Sequence, residues 1–504
     1  MRPYVIGIDI GTGSTKAVAI NSSGEIITSS QFYYPFISGL VEGHTEQDTK
    51  LIWDAFVNCI KHTTASLQRM PFAVSLSSCM HGLMLIDNKQ RQLTNLITWA
   101  DTRSEKIADE IRRSPQAENL YRTTGTPIHS MSPLCKIIWL KNNSPEIFAS
   151  AFKFISIKEF IWYRLFNEYQ VDYSVACGTG LFNIEKLEWN NASLKLSGIT
   201  GDQLSEPVST KYVRNDINSS SASLLGISPG TPFCIGASDG CLANAGSFAI
   251  EPGLAAITIG TSGAVRIASS TPVFNFRAMT FNYVLDETKF ICGSPLNNGG
   301  NVIQWLFKSF LNNTKPVAQD YNDLFKTVET VSAGCNGLLL LPYLNGERAP
   351  VWDEKSCGVY FGVRSYHTHE HFLRAALEGV CYSLNNVLKI AEESTGLVKQ
   401  LNVSGGFVNS KVWMQMLSDV TGKKICVLQT EDASAIGAAL LGMVALKMIE
   451  GYESLKPDDN FTIEPDVNNH EAYKKYYGVF KTLYHPLKET MHQLYHINSG
   501  PCIL

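Results

Sequence analysis

The sequence contains two similar glycine-rich segments, one in each half of the chain. The first, IDIGTGS, begins at Ile8, and the second, ITIGTSG, begins at Ile257. The first segment ends a run of apolar and β-branched residues, and a second apolar run, 17–20, follows it before a polar turn. This pattern predicts a β-hairpin that begins a sheet, and its repetition predicts two related halves that each contain such a hairpin.

Helical and strand patterns alternate along both halves. The predicted segments are helices over 49–65, 371–389 and 412–421 and strands over 72–76, 337–343 and 400–404. Such alternation is typical of layered α/β domains. We place the boundary after residue 246, which gives domains 1–246 and 247–504. Because no linker rich in proline or serine marks this point, we expect the domains to share an interface and a ligand cleft.

The charge balance excludes several classes of partner. The 504 residues include 42 Lys and Arg against 46 Asp and Glu, a formal charge of −4. This composition offers no basic surplus for a phosphate backbone or an anionic membrane, so we expect a small-molecule ligand, no nucleic acid and no membrane. The longest apolar stretch, 435–446, is shorter than the roughly 20 residues that cross a bilayer.

The cysteines and the N-terminal segment predict the compartment. The 12 cysteines are dispersed, without the spacing of a zinc site or a disulfide framework. The segment MRPYVIGIDIG lacks the charged and long apolar regions of a secretory signal. We therefore expect reduced thiols and a cytoplasmic protein. A homodimer is compatible with the sequence, which does not decide the oligomeric state.

The first glycine-rich turn suits the oxygens of a polyphosphate. Backbone N–H groups and hydroxyls crowd together at Thr12, Gly13 and Ser14 without obstruction by a Cβ, and Lys16 follows them. Asp9, on the preceding strand, is placed to hold Mg²⁺ through water. The alternative is a glycine-rich hairpin turn with a solvated lysine, because short motifs of this kind often occur by chance.

Two later segments extend the nucleotide hypothesis. Gly260 and Thr261 repeat the phosphate turn, but Thr258 stands where the first half has Asp9, so a single metal carboxylate is expected. Gly405, Gly406 and Asn409 lie between a predicted strand and a predicted helix, where glycine lets a flat ring approach the backbone and the amide can bind it. The alternative for this last segment is a turn that merely requires glycine.

Asp239 is the candidate general base. It follows the apolar run 233–235 and has small neighbours, which leave room for a substrate whose hydroxyl proton the carboxylate accepts. The alternative is a turn residue at the start of a helix, the place where many aspartates occur.

Long stretches of the sequence resemble the FGGY carbohydrate kinases. The segment MSPLCKIIWL from Met131 is similar to the family's first signature, and 358–378 is similar to the second. The resemblance covers nearly the whole chain. It implies an α/β fold of two actin-like (ribonuclease H-like) ATPase domains with the ligand cleft between them. The implied activity is phosphorylation of a sugar or polyol hydroxyl by ATP with Mg²⁺, with nucleotide mainly on the C-terminal domain and substrate mainly on the N-terminal one.

The resemblance also implies roles for individual residues. Asp9 corresponds to the metal-associated acid, Thr12 to a phosphate contact and Asp239 to the catalytic base. Gly260 and Thr261 are similar to the second phosphate loop, and Gly405, Gly406 and Asn409 to the adenosine segment. Met80, His81 and Gly82 are similar to the substrate loop of xylulose kinases, but Cys79 stands where those enzymes usually have Gln, which argues against a pentulose.

Several stretches are most similar to those of gluconate kinases within the family: TWADTR from Thr98, TGTPIHSMSP from Thr124, GASDGCLAN from Gly236 and GERAPVW from Gly346. A sugar acid carries a carboxylate, for which Arg103, His129 and Lys136 are candidate partners. Alternatively, Arg103 pairs with Asp101 and Lys136 caps a helix. A ketose or polyol kinase and a sugar- and ATP-binding sensor without turnover are the competing functions.

Overall fold

The computed structural model describes residues 2–427, 432–456 and 461–498. The strands in chain order are β1 (Tyr4–Ile10), β2 (Ser14–Asn21), β3 (Ile26–Tyr33), β4 (Glu46–Gln47), β5 (Ala73–Ser78), β6 (Met84–Ile86), β7 (Leu96–Ile97), β8 (Lys153–Ile155), β9 (Gln170–Asp172), β10 (Phe182–Asn183), β11 (Glu188–Trp189), β12 (Glu206–Val208), β13 (Val213–Arg214), β14 (Phe233–Ser238), β15 (Leu254–Ile259), β16 (Gly263–Ser269), β17 (Phe281–Asp286), β18 (Lys289–Leu296), β19 (Leu339–Leu341), β20 (Val359–Phe361), β21 (Gln400–Ser404), β22 (Lys424–Val427) and β23 (Phe461–Ile463).

The helices in chain order are α1 (Thr49–Leu67), α2 (Glu105–Arg113), α3 (Ala117–Thr124), α4 (Pro133–Asn143), α5 (Pro145–Ser150), α6 (Ile157–Phe166), α7 (Tyr173–Cys177), α8 (Asn191–Ser197), α9 (Ser219–Leu225), α10 (Asp239–Gly246), α11 (Gly300–Ser309), α12 (Ala318–Glu329), α13 (His369–Thr395), α14 (Lys411–Thr421), α15 (Ala433–Ala445) and α16 (Val467–Asn498). The predicted α/β alternation is confirmed. The strand predicted over 337–343 is shorter than expected, because a 3₁₀ turn occupies Cys335–Gly337.

Contacts divide the chain into two compact units. The first comprises Met1–Ile250, Ala268–Cys292 and Asp432–Asp458, and the second comprises Glu251–Ile267, Gly293–Glu431 and Asp459–Leu504. The domain boundary predicted after residue 246 stays a prediction. Ala268–Cys292 and Asp432–Asp458 lie after that boundary in the sequence but belong to the first unit, and a single boundary cannot describe such a division.

A mixed six-stranded sheet forms the centre of the first unit, in the order β13, β14, β5, β1, β2, β3. The predicted first hairpin is confirmed: β1 and β2 are antiparallel, and Asp9 pairs with Lys16. On its other side β1 runs parallel to β5, where Asp9 pairs with Ser77. Because β1 is buried on both faces, its sequence is an almost continuous run of apolar residues and does not alternate between apolar and polar ones.

The second unit repeats this arrangement with β16, β15, β21, β22 and β23, which are consecutive strands of a seven-stranded sheet. Strands β15 and β16 form the predicted second hairpin, and β15 runs parallel to β21 with Thr258 opposite Ser404. The pair formed by Asp9 and Ser77 in the first unit is thus replaced by Thr258 and Ser404 in the second. The prediction of two related halves with different chemistry is confirmed at this position.

Helix α15 belongs to the first unit and packs against β1 and α10. Glycines permit the close approach: a Cβ at Gly7 would overlap the carbonyl oxygen of Ala435, and one at Gly437 would overlap that of Leu242. The alanine-rich composition of α15 therefore reflects tight helix packing. None of the helices within the described residues has both the length and the apolar character needed to cross a membrane.

Substituting Gly437→Ala is expected to lower the free energy of unfolding by about 1 to 3 kcal/mol, because the added methyl group must displace the backbone of α10. Denaturant unfolding monitored by circular dichroism measures the effect. The matched control is Gly478→Ala in α16, where no atom outside the adjoining backbone of the helix lies within 4 Å of the added carbon. This control is expected to stabilise the chain by up to about 1 kcal/mol through helix propensity. Equal stability of the two variants would contradict the packing argument.

Candidate active site

The first glycine-rich turn is held in place by the strand beside it. The Gly11 amide donates to the Ser14 carbonyl at 3.0 Å and closes the turn. From the end of β3, the Tyr34 hydroxyl donates to the Gly11 carbonyl at 2.6 Å and its amide donates to the Gly13 carbonyl at 3.1 Å. The carbonyls of the turn are therefore engaged within the protein, an arrangement that suits a loop whose N–H groups receive phosphate.

The side chains of the predicted phosphate residues have partners of their own. The Thr12 hydroxyl accepts from the Trp99 indole N–H at 2.9 Å, and the Ser14 hydroxyl accepts from the Gln31 amide at 2.8 Å. Lys16 forms an ion pair with Asp432. The simple alternative of a solvated lysine is therefore wrong for this structure, whereas the roles of Thr12, Gly13, Ser14 and Lys16 toward ATP stay predictions.

Asp9 lies in a cluster of negative charge. Its Oδ1 accepts from the Ser77 hydroxyl at 2.7 Å. Burial, followed by the nearby carboxylate of Asp239, raises the pKa of Asp9 to about 7, and Asp432 contributes in the same direction. An ionised Asp9 in this position favours a cation beside it.

This environment fits the Mg²⁺ that accompanies ATP. Among the described residues, no group of three or more His, Cys, Asp or Glu side chains is arranged to hold a metal. Mg²⁺ commonly binds one or two carboxylates, substrate phosphates and water rather than a cage of protein ligands. Asp9 is therefore the residue that would hold the ion, which agrees with the prediction without testing it.

Asp239 is the first residue of α10, at the end of β14. Ser238 is the N-cap, and its hydroxyl accepts from the Cys241 amide at 3.4 Å. The Asp239 Oδ1 accepts from the Gly240 amide at 2.7 Å. Asp239 therefore does lie at the start of a helix, as the alternative interpretation proposed. This position does not exclude a role as a base, because the carboxylate is only partly buried and lies near Asp9.

A backbone irregularity brings Asp239 to this position. The register of β14 against β5 shifts between Cys234 and Ala237. Gly236, within the shift, has a φ of 73°, and a Cβ there would overlap the Leu76 carbonyl oxygen. Bulges of this kind re-aim side chains and are common beside active sites. The sequence shows a glycine inside an apolar strand, which is a signal for a bulge. The register shift itself becomes visible only when β14 is aligned with its partner strand β5.

The predicted substrate loop is a strained and well-packed segment. His81 has a φ of 63°, and its Nδ1 lies 2.6 Å from the Gly178 carbonyl oxygen. A carbonyl can only accept, so Nδ1 carries the proton and Nε2 of the neutral ring accepts from the Tyr283 hydroxyl at 3.3 Å. Met80 is buried nearby, and a Cβ at Gly178 would lie 2.6 Å from its methyl carbon. Tyr283 and Gly178 were not identified from the sequence.

Arg103, a predicted partner for a substrate carboxylate, already forms ion pairs within the first unit, and its role toward the substrate stays a prediction. Its guanidinium donates to both Asp101 oxygens at 2.8 Å and to Glu46 Oε1 at 2.5 Å, and its side chain is 6 % exposed. Two acidic partners within the same unit already neutralise this charge. The alternative considered from the sequence, a pair with Asp101, is the observed one, and Glu46 adds a second carboxylate that only the fold brings near.

Lys136 and His129 are both buried in the first unit. The Lys136 Nζ donates to the carbonyls of His81 at 2.6 Å and Thr98 at 2.7 Å. Burial lowers the pKa of Lys136 to about 7, against the opposing effect of Asp101. The lysine thus holds the backbone of the substrate loop. The His129 Nδ1 accepts from the Met131 amide at 3.2 Å.

The second glycine-rich turn, in the second unit, is joined to the start of α11. The Gly300 amide donates to the Gly260 carbonyl at 2.7 Å, and the Asn301 amide donates to the Thr261 carbonyl at 3.1 Å. A Cβ at Gly300 would lie 2.6 Å from the Gly260 carbonyl oxygen. The segment Asn297 to Gly300 was missed in the sequence, although two consecutive glycines before an amphipathic helix were a usable signal for close backbone approach.

A cavity of about 510 Å³ lies beside this turn. Gly260, Thr261, Gly406 and Asn409, which the sequence analysis assigned to the nucleotide site, contribute to its lining, and their role toward ATP stays a prediction. Gly405 lies behind them with a φ of 99°, where a Cβ would overlap the Ile259 carbonyl oxygen. The remaining lining residues were not identified from the sequence: Ile259, Gly300, Ile303, Gln304, Ala318, Tyr321, Asn322, Phe325, Phe407, Ser410 and Trp413. Apolar walls with a few amides fit a flat heteroaromatic ring.

Substituting Gly300→Ala is expected to raise the KM for ATP about tenfold, which corresponds to about 1.4 kcal/mol. The added carbon must push the start of α11 away from the second glycine-rich turn. Steady-state kinetics at saturating sugar measure the change, and the KM for the sugar should stay within twofold. Gly478→Ala is the matched control. An unchanged KM for ATP would show that this turn does not contact the nucleotide.

The first unit has an acidic site beside its glycine-rich hairpin, and the second unit has a cavity beside the equivalent hairpin. Both features suit a kinase of small hydroxylated molecules. The comparisons with known proteins agree. Residues 4–246 match the N-terminal domain of the FGGY family of carbohydrate kinases, and residues 255–446 match its C-terminal domain. The chain belongs to this family. It is a phosphotransferase with an alcohol group as acceptor, and it uses ATP with Mg²⁺.

Similar proteins include two gluconate kinases and a xylulose kinase. The gluconokinase of Bacillus subtilis is 40 % identical over 467 residues, which cover 90 % of each chain. The crystal structure of gluconate kinase from Lactobacillus acidophilus has a TM-score of 0.93 and 31 % identity, covering 98 % of this chain and 100 % of that one. The ligand-bound xylulose kinase from the same organism has a TM-score of 0.92 and 31 % identity, with the same coverage.

Proposed function

We propose that this protein is a gluconate kinase that transfers the γ-phosphoryl group of MgATP to O6 of D-gluconate, giving 6-phosphogluconate and ADP. The observation that carries the proposal is the position of Asp239, at the start of α10 and close to Asp9. A base for the sugar hydroxyl and a carboxylate for Mg²⁺ thus lie in one site. The names of two similar proteins, a gluconokinase and a gluconate kinase, support gluconate as the substrate.

In this proposal the protein supplies position and charge. Asp239 orients the O6 hydroxyl and accepts its proton as the phosphoryl group is transferred. Mg²⁺ at Asp9 neutralises negative charge on the phosphates when it is bound. The glycine-rich turns donate backbone N–H groups to phosphate oxygens, and the cavity lined by Gly406 and Asn409 holds the adenine ring.

The carboxylate of gluconate needs a donor, and His129 is the candidate that we retain. Its Nδ1 accepts from the Met131 amide, so in the neutral ring Nε2 carries the proton and can donate to an anion. Arg103 is less suited to this role, because Asp101 and Glu46 already accept from its guanidinium. Lys136 acts indirectly, through the carbonyl of His81.

A xylulose kinase is the second candidate. The loop formed by Met80, His81 and Gly82 supports it, because it resembles the substrate loop of xylulose kinases. Both ring nitrogens of His81 already have partners, Gly178 and Tyr283. The structural similarity to a xylulose kinase also favours this alternative. Cys79, at the entrance to the loop, has a thiol whose pKa burial raises well above its usual range, so it offers a weak donor and no charge.

A substrate panel tests the proposal. ADP release is measured with the purified chain, MgATP and either gluconate, xylulose, ribulose or glycerol. We expect kcat/KM for gluconate to exceed that for each neutral substrate at least tenfold, a margin of about 1.4 kcal/mol. A preference for xylulose would establish the second candidate. ATP binding without sugar-stimulated ADP release would indicate a sensor instead.

We further propose that the chain functions in the cytoplasm. All eleven cysteines among the described residues are free thiols, which supports a reducing compartment. A homodimer also stays a proposal, which light scattering coupled to size-exclusion chromatography tests directly.

A further inference from the structure

A buried lysine lies behind the strand that leads to Asp239. Lys158, in α6, is 1 % exposed, and its Nζ donates to Asp172 Oδ2 at 2.7 Å and to the Ala237 carbonyl at 2.9 Å. Asp172 is fully buried, and its Oδ1 accepts from the Val175 amide at 2.9 Å as the N-cap of α7. The lysine therefore bridges a fixed carboxylate and the backbone two residues before Asp239.

A serine in the same segment holds the next residue. The Ser174 Oγ accepts from the Ser238 amide at 3.2 Å and lies 2.8 Å from the Ser238 Oγ. The Ser238 hydroxyl in turn caps α10. Consecutive residues ahead of Asp239 are thus each fixed by a buried polar contact, Ala237 from α6 and Ser238 from α7.

The energetics argue that this network does more than stabilise the fold. Removing two charges from water costs several kcal/mol, and well-packed apolar residues often stabilise a core as well as a buried ion pair does. The effect of this ion pair is to fix the position of the backbone that Lys158 contacts, at the Ala237 carbonyl. A displacement of about 1 Å at a reacting group can reduce turnover about a hundredfold.

We propose that Lys158, Asp172 and Ser174 are positioning residues that fix the start of α10 and thereby aim the Asp239 carboxylate. This inference rests on the proposed role of Asp239 as the base. The three residues do not contact the substrate. They act through Ala237 and Ser238, whose backbone they hold from the buried side of β14.

The second unit offers a matched control. The Lys423 Nζ donates to Glu392 Oε1 and to the Val398 carbonyl, both at 2.5 Å, and both side chains are 8 % exposed. This is the same chemistry, a buried lysine that bridges a carboxylate and a backbone carbonyl. It holds the end of α13 and has no connection to the backbone before Asp239.

The test is the double variant Lys158→Met/Asp172→Asn. Asparagine keeps an oxygen for the Val175 amide and removes the unpaired charge that Lys158→Met alone would leave buried, so the variant should fold. We expect kcat to fall ten- to a hundredfold while the KM values for ATP and gluconate stay within twofold. Lys423→Met should keep the parental kcat. A double variant that folds and retains the parental kcat would refute the proposal.

Ser174→Ala provides a milder second variant, with an expected kcat loss of about threefold to tenfold. Hydrogen exchange at the Gly240 and Cys241 amides provides a readout independent of catalysis, and we expect it to accelerate in the double variant but not in Lys423→Met. Unchanged exchange would refute the inference even if the parent chain proved inactive with every sugar. Inactivity of the parent with gluconate would instead refute the proposed function, so the two failures are distinguishable.

Discussion

Substituting Asp239→Asn is expected to reduce kcat about a thousandfold, or about 4 kcal/mol of activation free energy. The amide keeps the shape of the carboxylate and its hydrogen bond from the Gly240 amide, but it cannot accept the proton of the sugar hydroxyl. The helix start should therefore remain intact. ADP release at saturating gluconate measures kcat, and calorimetry with ATP measures nucleotide binding, which should change by less than threefold.

The control for this substitution is Asp216→Asn, a carboxylate that is 59 % exposed and pairs with Arg214 on the surface. It carries the same chemical change away from the site, and its kcat should stay within twofold of the parent. If Asp239→Asn retains near-parental turnover with intact ATP binding, the base assignment is wrong. If ATP binding is lost as well, Asp239 contributes to the nucleotide site rather than to proton transfer.

The sequence predicted the hairpins and the sheets around them because local patterns determine those elements. An apolar run, a glycine-rich turn and a second apolar run are sufficient for β1 with β2 and for β15 with β16. The replacement of Asp9 by Thr258 was also visible in the repeat. These features depend on residues that are neighbours in the chain, which is where pattern analysis is strongest.

Features that depend on distant partners were not predictable from the sequence. The repeat and composition do not indicate that Glu46 lies beside Arg103, so the sequence suggested only Asp101 as an acidic partner for this guanidinium. The alanine-rich helix α15 was recognised as apolar, but its place beside Gly7 in the first unit requires the tertiary fold. Likewise, Tyr321 and Phe325 line the cavity, but the sequence of their helix α12 has only the pattern of an ordinary amphipathic helix.

The ionisation of Asp9 should control the pH dependence of activity with MgATP. Burial and the Asp239 carboxylate raise the pKa of Asp9 to about 7 in the free protein. Below that pH the carboxyl is protonated and neutral, so it does not attract a cation electrostatically. Above it the carboxylate is charged. We therefore expect kcat/KM for MgATP to rise about tenfold per pH unit up to about pH 7 and then to level off.

The same shift has the opposite sign for folding stability. Asp9 binds a proton more tightly in the folded chain than in the unfolded one, where the carboxyl has its ordinary pKa of 3.8. Its contribution to the free energy of unfolding is therefore fully present at low pH and is lost as the pH rises toward about 7. Activity should thus increase over the interval in which this contribution to stability declines, and urea unfolding at matched pH values measures the second effect.

Two variants assign the pH dependence to Asp9. Asp9→Asn should abolish the rising limb and lower kcat/KM for MgATP at pH 8 at least a hundredfold, because the neutral amide cannot replace the charged ligand. Asp432→Asn should keep the limb and move it to lower pH. This substitution removes a negative charge that raises the pKa of Asp9 and releases Lys16 from its ion pair, and both changes favour the ionised carboxylate. A limb that persists in Asp9→Asn would place the controlling group elsewhere, with Asp239 as the next residue to test, since interacting carboxyls titrate as a pair.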